Sequence, residues 1–208
     1  MYTGIVQAVA PIVSLEDQPG YRRISLTFPA DLHEGLHLGA SVSLDGTCMS
    51  VVKISGEVVS FDAIAATLEI TNVGDRKVGD LMNIERSAAM GQEISGHPMS
   101  GHVFGTAVVT AIETRADRNY VWFRVPEAQA KYIFPKGFLG LNGVSLTVAE
   151  QDPTTGAFKV NFIPDTLRRT SFPDYKVGDR LNFEIEMQTM IIVDTLERVL
   201  QRSQQVAG

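Results

Sequence analysis

Hydrophobic and polar positions alternate along the first half of the chain in six short runs. The runs cover residues 4–14, 22–28, 40–45, 47–54, 57–63 and 81–86, and Gly, Pro, Asp or Asn separates them. An alternation of period two is typical of strands that bury one face. Asp45-Gly46 is a tight-turn signal between two of these runs. The pattern predicts a small closed antiparallel barrel, because closure leaves no open sheet edge.

The same pattern recurs in the second half of the chain as an internal repeat. Residues 66–86 match residues 165–185 at an offset of 99, with ten of twenty-one positions identical. At an offset of 97, residues 45–51 align with residues 142–148, and Gly4-Ile5-Val6 aligns with Gly101-His102-Val103. The sequence therefore predicts an all-β fold of two tandem six-stranded antiparallel barrels of the Greek-key type, over residues 1–97 and 98–187.

The tail of the chain has a different period. In residues 188–203, Ile192, Val193, Leu196, Val199 and Leu200 recur at helical spacing with charged residues between them. This pattern predicts an amphipathic helix. Because residues 188–208 lie outside both repeats, we expect this helix either to pack back on a barrel or, as the favoured alternative, to hold copies of the chain together.

Composition excludes several classes of protein. The 208 residues carry a net charge of −6, with no cluster of Lys or Arg, so nucleic acid is not an expected partner. No basic leader precedes the first run, and no apolar stretch approaches the roughly 20 residues that span a bilayer, so neither export nor a membrane is expected. The single cysteine, Cys48, cannot form an internal disulfide, which favours the cytoplasm.

The common catalytic motifs are absent, and small polar residues at matching places in the repeats remain. The sequence contains no GxGxxG, GxxxxGK[ST], HExxH or GxSxG pattern. Cys48 and Ser50 in the first repeat correspond to Ser145 and Thr147 in the second, and each pair shares one side of a strand. These pairs either form a polar face that binds a ligand or simply fill a barrel interior.

The segment Ser95 to His102 joins the repeats and holds two histidines, two glycines and a proline. It predicts a shaped loop. His102 is the stronger candidate for proton transfer and His97 the weaker, with an ordinary loop histidine as the alternative. No Asp, Glu or thiol lies within the loop, so we expect no metal site.

Two further matching segments, Ile64–Glu69 and Ile163–Arg168, place Thr67 and Thr166 directly after a strand. A loop there, rich in backbone polar groups, would clamp a flat heterocycle. A solvated turn is the alternative.

Taken together, these motifs resemble the alpha-chain type of riboflavin synthase. The resemblance runs from Met1 to about Gln201, and it rests on residues 1–6, 45–51, 77–80 with their repeat at 176–179, 96–102, 136–137 and 142–148. It implies two barrels, a helix that holds a homotrimer, and two molecules of 6,7-dimethyl-8-ribityllumazine bound between the first barrel of one subunit and the second barrel of another. The implied reaction transfers four carbons between the two lumazines and yields riboflavin without a metal or cofactor. Association with lumazine synthase is left open.

The resemblance also implies site residues. Catalytic candidates are Cys48 and His102 for nucleophile activation or proton transfer, Ser145 for a hydrogen bond, and Ser41 as a supporting hydroxyl. Thr147 is expected to add a second hydrogen bond beside Ser145 as a binding residue. On the side of the first barrel the implied binding residues are Gly4, Ile5, Val6, Cys48, Met49, Ser50, Asp62, Ala63, Ile64, Ala65, Ala66, Thr67, Gly101, His102 and Val103. On the side of the second barrel they are Lys136, Ser145, Leu146, Thr147, Ile163, Pro164, Asp165, Thr166, Leu167 and Arg168.

The sequence departs from the family pattern at a few positions. Tyr2 replaces the usual Phe, Ser50 replaces Thr, Pro98 stands where an aliphatic residue is common, and Glu186 stands where many members carry Asp. The rival hypothesis is a lumazine- or flavin-binding protein of the same fold that holds a chromophore without converting it. Such proteins typically lose the histidine motif, whereas His97 and His102 are both present.

Overall fold

A computed structural model describes residues 1–115, 118–152 and 154–206 of the chain. The strands are β1 (Ala8–Gln18), β2 (Tyr21–Thr27), β3 (Ser41–Leu44), β4 (Thr47–Ser55), β5 (Val58–Ile64), β6 (Leu81–Arg86), β7 (Gly105–Arg115), β8 (Arg118–Arg124), β9 (Phe138–Leu141), β10 (Val144–Asp152), β11 (Ala157–Phe162) and β12 (Arg180–Ile185). The α-helices are α1 (Ala65–Ile70), α2 (Glu127–Ala130), α3 (Pro164–Arg169) and α4 (Met187–Val206).

The strands close into two barrels of the same topology. The first has the order β1-β2-β5-β4-β3-β6, and the second has the matching order β7-β8-β11-β10-β9-β12. All neighbouring strands are antiparallel, and a register shift in β1 at Ile12/Ser14 recurs in β7 at Val109/Ala111. The prediction of two tandem six-stranded barrels is confirmed, and the repeat in sequence is a repeat in structure.

Alternation along β4 and β10 decides which side of each strand faces the core. Met49 and Val51 are buried in the first barrel, and Leu146 and Val148 are buried in the second. The polar residues between them point the other way, so Cys48 and Ser145 are half-buried while Ser50 and Thr147 are exposed. The alternative in which these small residues fill a barrel interior is therefore wrong.

The two barrels meet back to back at their matching tight turns. Asp45 and Gly46, like Asn142 and Gly143, all have positive φ, as the sequence predicted for turns of this kind. A Cβ atom built on Gly46 would lie 2.7 Å from the backbone nitrogen of Gly143, and one built on Gly143 would lie 2.8 Å from that of Gly46. Only glycine permits this approach of one backbone to the other.

Buried asparagines tie the turns together across this interface. The Asn83 Nδ2 donates to the Asn142 carbonyl at 3.0 Å, and its repeat partner Asn182 donates in the same way to the Asp45 carbonyl at 2.8 Å. Their Oδ1 atoms accept from the backbone of Ser171 and Asn72, at 2.9 and 2.6 Å. The interface is thus a network of paired buried polar groups with approximate two-fold symmetry.

Two segments before the barrels cross between them. We call residues 1–7 the N-terminal arm and residues 98–104 the linker arm. In the N-terminal arm, the backbone nitrogens of Thr3 and Gly4 donate to Glu85 of the first barrel at 2.6 and 3.0 Å, while Val6 packs in the core of the second. In the linker arm, Ser100 and Gly101 donate in the same way to Glu184, at 2.6 and 3.0 Å.

The helix predicted over 188–203 is α4. Its first turn is capped by Glu186, whose carboxylate accepts from the backbone nitrogens of Gln188 and Thr189 at 2.9 and 2.7 Å. One side of α4 meets the second barrel, where Tyr132 donates to Asp194 at 2.6 Å and Met190 packs on the core. The rest of its apolar surface is exposed. None of the helices in the described ranges is both long and apolar enough to cross a membrane.

Candidate active site

We call the polar cluster around Cys48 of the first barrel the first half-site, and the matching cluster around Ser145 of the second barrel the second half-site. Cys48 lies on the outer face of β4. Its backbone nitrogen donates to the carbonyl of Gly101 in the linker arm at 2.9 Å. The Tyr2 hydroxyl, in the N-terminal arm, donates to the Cys48 Sγ at 3.1 Å. Ser41 of β3 pairs with Ser50 of β4, so both hydroxyls lie next to the thiol along the same face. These four polar side chains come from three separate stretches of chain.

Ser145 lies at the matching place on β10 and forms the second half-site. Its backbone nitrogen donates to the Gly4 carbonyl at 2.8 Å, and its Oγ lies 2.6 Å from the His97 Nδ1. The imidazole is only 4% exposed and stacks on Phe138, with 5.4 Å between ring centroids. The weaker of the two sequence candidates, His97, is therefore the histidine that touches a predicted catalytic hydroxyl.

The environment of His97 favours its neutral form. Burial lowers the pKa of His97 below its ordinary value, and the carboxylate of Glu186 opposes this effect only in part. A neutral imidazole can accept a proton through one nitrogen. The pair of Ser145 and His97 can thus present a hydroxyl whose proton has an acceptor at hydrogen-bond distance.

His102 and Asp62 differ in how accessible their side chains are to a ligand. The His102 side chain is exposed, next to the Gly101 carbonyl that Cys48 binds, and its backbone nitrogen donates to Ser100 Oγ at 3.1 Å. Asp62 is engaged, since both of its carboxylate oxygens accept from Arg23, at 2.8 and 2.9 Å. His102 is therefore accessible to a ligand, whereas the Asp62 carboxylate is held on its own barrel.

Gly4 to Val6 lie on the other side from the one expected. We predicted that they line the first barrel, but Gly4 binds Ser145 and Val6 is part of the second core. A Cβ on Gly4 would lie 2.5 Å from the Ser145 Cβ, and one on Gly101 would lie 2.7 Å from the Cys48 Cβ. The two arms are thus exchanged at the backbone, because each half-site is bound through a glycine carbonyl of the arm that precedes the other barrel. The Tyr2 side chain of the N-terminal arm nevertheless reaches Cys48 in the first half-site.

The segments after β5 and β11 are short helices, so the predicted loops are wrong in form. Helix α1 covers Ala65 to Thr67 and α3 covers Pro164 to Arg168, with Ile64 and Ile163 as their N-caps. Ile64 and Ile163 are exposed by about three fifths, while Ala63, Met49 and Leu146 point their side chains into the cores. Asp165 is paired with Arg168 and Arg169. A ligand there would meet the exposed first turns of the helices.

Lys136 has an unusual backbone conformation. Its φ is +73°, and its repeat counterpart is Gly39, with φ +83°. Both backbone nitrogens make the matching hydrogen bond, to Val148 in one repeat and to Val51 in the other, at 2.8 Å. A side chain in this left-handed region costs of the order of 1 kcal/mol, which makes Lys136 a position where the side chain itself can be tested for a role.

Lys136→Gly is therefore expected to separate stability from activity. Relief of the backbone strain should leave the free energy of unfolding unchanged or raise it by up to about 1 kcal/mol, while turnover falls because the cation is lost. Urea unfolding and steady-state kinetics measure the two effects. Lys77→Gly, at an exposed position in the loop before β6, serves as the control and should leave turnover intact. A simple loss of stability in Lys136→Gly with normal turnover would contradict this role.

In the described residues no three His, Cys, Asp or Glu side chains are grouped closely enough to hold a metal ion.

Both halves of the chain match one family, the lumazine binding domain, over residues 3–87 and 100–186. The riboflavin synthase of Escherichia coli (strain K12) is 48% identical over 201 residues, which cover 96% of this chain and 93% of that protein. The chain belongs to the riboflavin synthase family. The riboflavin synthase of Chlamydia pneumoniae is 36% identical over 203 residues, covering 98% of each chain.

Solved structures of LumP share this riboflavin synthase fold. The complex of LumP with 6,7-dimethyl-8-(1'-D-ribityl) lumazine aligns with a TM-score of 0.81 at 27% identity, over 89% of this chain and 99% of that chain. The complex of LumP with riboflavin aligns with a TM-score of 0.82 at 28% identity, over 89% and 100%.

The departures from the riboflavin synthase pattern have clear places in the structure. Glu186 caps α4 and faces His97, so its longer side chain is accommodated by the helix. Pro98 is exposed between the buried residues His97 and Met99. Tyr2 alone adds a new polar contact, the one with Cys48.

Proposed function

We propose that this protein is a riboflavin synthase: it converts two molecules of 6,7-dimethyl-8-ribityllumazine into riboflavin and 5-amino-6-ribitylaminouracil. The observation that supports this most is the match over nearly the whole chain to enzymes of that name. One lumazine gives up a four-carbon unit and the other receives it, so the products balance without an outside oxidant or reductant. Two copies of one substrate explain why the chain carries two related half-sites.

The residues of the half-sites suit this chemistry. The 7-methyl group of the lumazine is acidic, because its conjugate base is delocalised over the ring, and a modest base suffices to remove the proton. We assign Cys48 and His102 to one lumazine, with Ser41 in support, and Ser145, Thr147 and His97 to the other. Orientation of two reactants contributes about 7–11 kcal/mol to the lowering of a barrier, and a general base adds roughly 10²–10⁴-fold in rate.

The exposed groups around these residues supply the remaining contacts that we propose. The half-sites are bordered by Lys136, by the first turns of α1 and α3, and by the two arms. We also propose that residues 1–97 and 98–187 are the two lumazine-binding units and that residues 188–208 form a separate tail. We further expect the protein to be cytoplasmic. The last two residues of that tail lie outside the described part of the chain.

The test is conversion without additives. When purified protein is mixed with the lumazine alone, the absorbance of the lumazine should decrease and the fluorescence of riboflavin should appear. One riboflavin should form for every two lumazines consumed. Stable binding of the lumazine without conversion would instead identify a chromophore carrier. Addition of purified lumazine synthase before gel filtration tests the remaining partner, and co-elution would support association.

We further propose that α4 holds a homotrimer, with each active site formed by the first barrel of one subunit and the second barrel of another. Ile192, Leu196, Val199 and Leu200 are each more than half exposed along one stripe of the helix. A stripe of this width and length is costly to leave in water.

Leu196→Asp should therefore give a monomer. A charge in the centre of an apolar contact loses its hydration without gaining a partner, so subunits should separate and turnover should fall with them. Light scattering coupled to gel filtration gives the mass, and kinetics the activity. Gln201→Asp, on another side of the helix, is the matched control and should stay assembled. An unmodified protein that runs as a monomer would overturn the proposal.

A further inference from the structure

Tyr2 is fixed at both its backbone and its side chain. Its backbone nitrogen and oxygen both bond to Met99 of the linker arm, at 2.8 and 2.9 Å, which forms an isolated bridge between the two arms. The ring is 2% exposed, and a Cβ on Gly101 would lie 2.7 Å from its Cε2. The phenol therefore has one orientation, and that orientation directs its hydroxyl at the Cys48 sulfur.

The hydroxyl keeps its proton, so it remains a donor. Burial raises the pKa of Tyr2 above its ordinary value, and the hydrogen bond to Cys48 and the charges of Glu85 and Glu184 act in the same direction. At neutral pH the contact is thus O–H to sulfur. A thiol sulfur that accepts one hydrogen bond on its buried side has its own proton and its remaining lone pair free for the exposed side.

The second half-site shows that this contact is specific to one repeat. Met99 occupies the place that corresponds to Tyr2 at the offset of 97, since its Sδ lies 2.8 Å from a Cβ built on Gly4. Methionine has no proton to donate, and in that half-site His97 bonds to the Ser145 hydroxyl instead. Each reactive side chain therefore has one polar partner, a phenol for the thiol and an imidazole for the hydroxyl.

We propose that Tyr2 is a positioning residue for Cys48, which holds the sulfur by hydrogen bonding and turns its reactive side toward the ligand beside Ser41 and Ser50. The proposal rests on the proposed function only in that Cys48 faces the substrate. Tyr2 is 2% exposed and acts through the Cys48 sulfur, so in this proposal it makes no contact with the substrate. The resulting asymmetry gives the two lumazines different polar environments, as a reaction with one donor and one acceptor requires.

The test uses the reactivity of the thiol itself. Cys48 is the only cysteine in the sequence, so alkylation by iodoacetamide followed by mass spectrometry of the full-length protein reports on this residue alone. Tyr2→Phe keeps the ring and removes the donor. A hydrogen bond to sulfur stabilises the thiolate, which is the reactive form. In Tyr2→Phe the alkylation time course at pH 7 should be slower by about five-fold.

Two further variants separate positioning from packing. Tyr2→Met copies the residue of the other repeat and should slow the alkylation time course in the same way. Tyr21→Phe, at an outer position on β2, is the matched control and should leave the time course unchanged. Glu85 and Glu184 are present in every variant, so their charges affect the alkylation of all variants alike and do not contribute to the differences between them. Thermal unfolding confirms that each variant is folded.

Turnover provides the second measurement. We expect Tyr2→Phe to lower kcat by about three- to ten-fold with little change in KM, because the substrate contacts remain while the orientation of the thiol is lost. An alkylation time course of Tyr2→Phe that coincides with that of the unmodified protein would overturn the proposal. If the unmodified protein fails to convert lumazine, the proposed function fails, and the alkylation comparison still decides the role of Tyr2.

Discussion

Alanine in place of Gly46 is expected to lower the free energy of unfolding by about 3 kcal/mol, the largest stability effect that we predict for one methyl group. Two penalties combine at this position. The backbone has φ +81°, where a Cβ is strained, and the added Cβ would lie 2.7 Å from the Gly143 nitrogen across the interface of the barrels. Since both backbones are held by buried hydrogen bonds, neither side can move away cheaply.

Urea unfolding measures this loss, and Gly20→Ala provides the matched control. Gly20 has φ +88° in an exposed turn, and a Cβ there would meet nothing within 4 Å. It therefore carries the backbone strain without the clash, and its loss should be about 1 kcal/mol. Equal losses in the two variants would show that contact between the turns contributes nothing.

His97→Ala is expected to lower kcat by about 10²-fold or more while leaving the protein folded, the largest effect on activity that we predict for a histidine. The imidazole is the polar partner of the Ser145 hydroxyl, and burial lowers its pKa and so favours the neutral form that can accept a proton. Its loss removes the proton acceptor from the second half-site. Steady-state kinetics with the lumazine measure the change.

Two companion variants make the result interpretable. His97→Gln can still bond to Ser145 but cannot accept and release a proton near neutrality, so it should remain as slow as His97→Ala if proton transfer is the role. His37→Ala, at an exposed loop position, should retain full turnover. Recovery of activity in His97→Gln would assign a positioning role to the imidazole in place of proton transfer.

The fold was predictable because its determinants are local and repeated. The alternation of residues along β4, the Asp45-Gly46 turn and its repeat at Asn142-Gly143 each specify their own conformation, and the second repeat verifies the first. The short helices α1 and α3 were missed for the same reason. Each is only six residues long, and so short a segment carries no helical period that could outweigh its position after a strand.

The site was predictable only in part, because its contacts join distant parts of the chain. Cys48 and Ser145 were found through the repeat. The preference for His102 over His97 failed to capture the pairing with Ser145, since 48 positions separate the two residues and burial is not visible in a loop sequence. The exchange of the arms could have been inferred from the sequence repeat. If Gly101 serves the first barrel, its repeat counterpart Gly4 must serve the second, and the alignment at an offset of 97 already contained that inference.

The exchange of the arms also fixes an order of events during synthesis. The linker arm emerges shortly after the first barrel is complete, so its contact with Cys48 forms early. The N-terminal arm is made before the first barrel, yet its partner Ser145 appears only a whole repeat later. The backbone contact of this arm with the second barrel must therefore wait for that barrel, and it is among the last long-range contacts to form. The half-site around Ser145 is thus completed by a segment that is synthesised before either barrel.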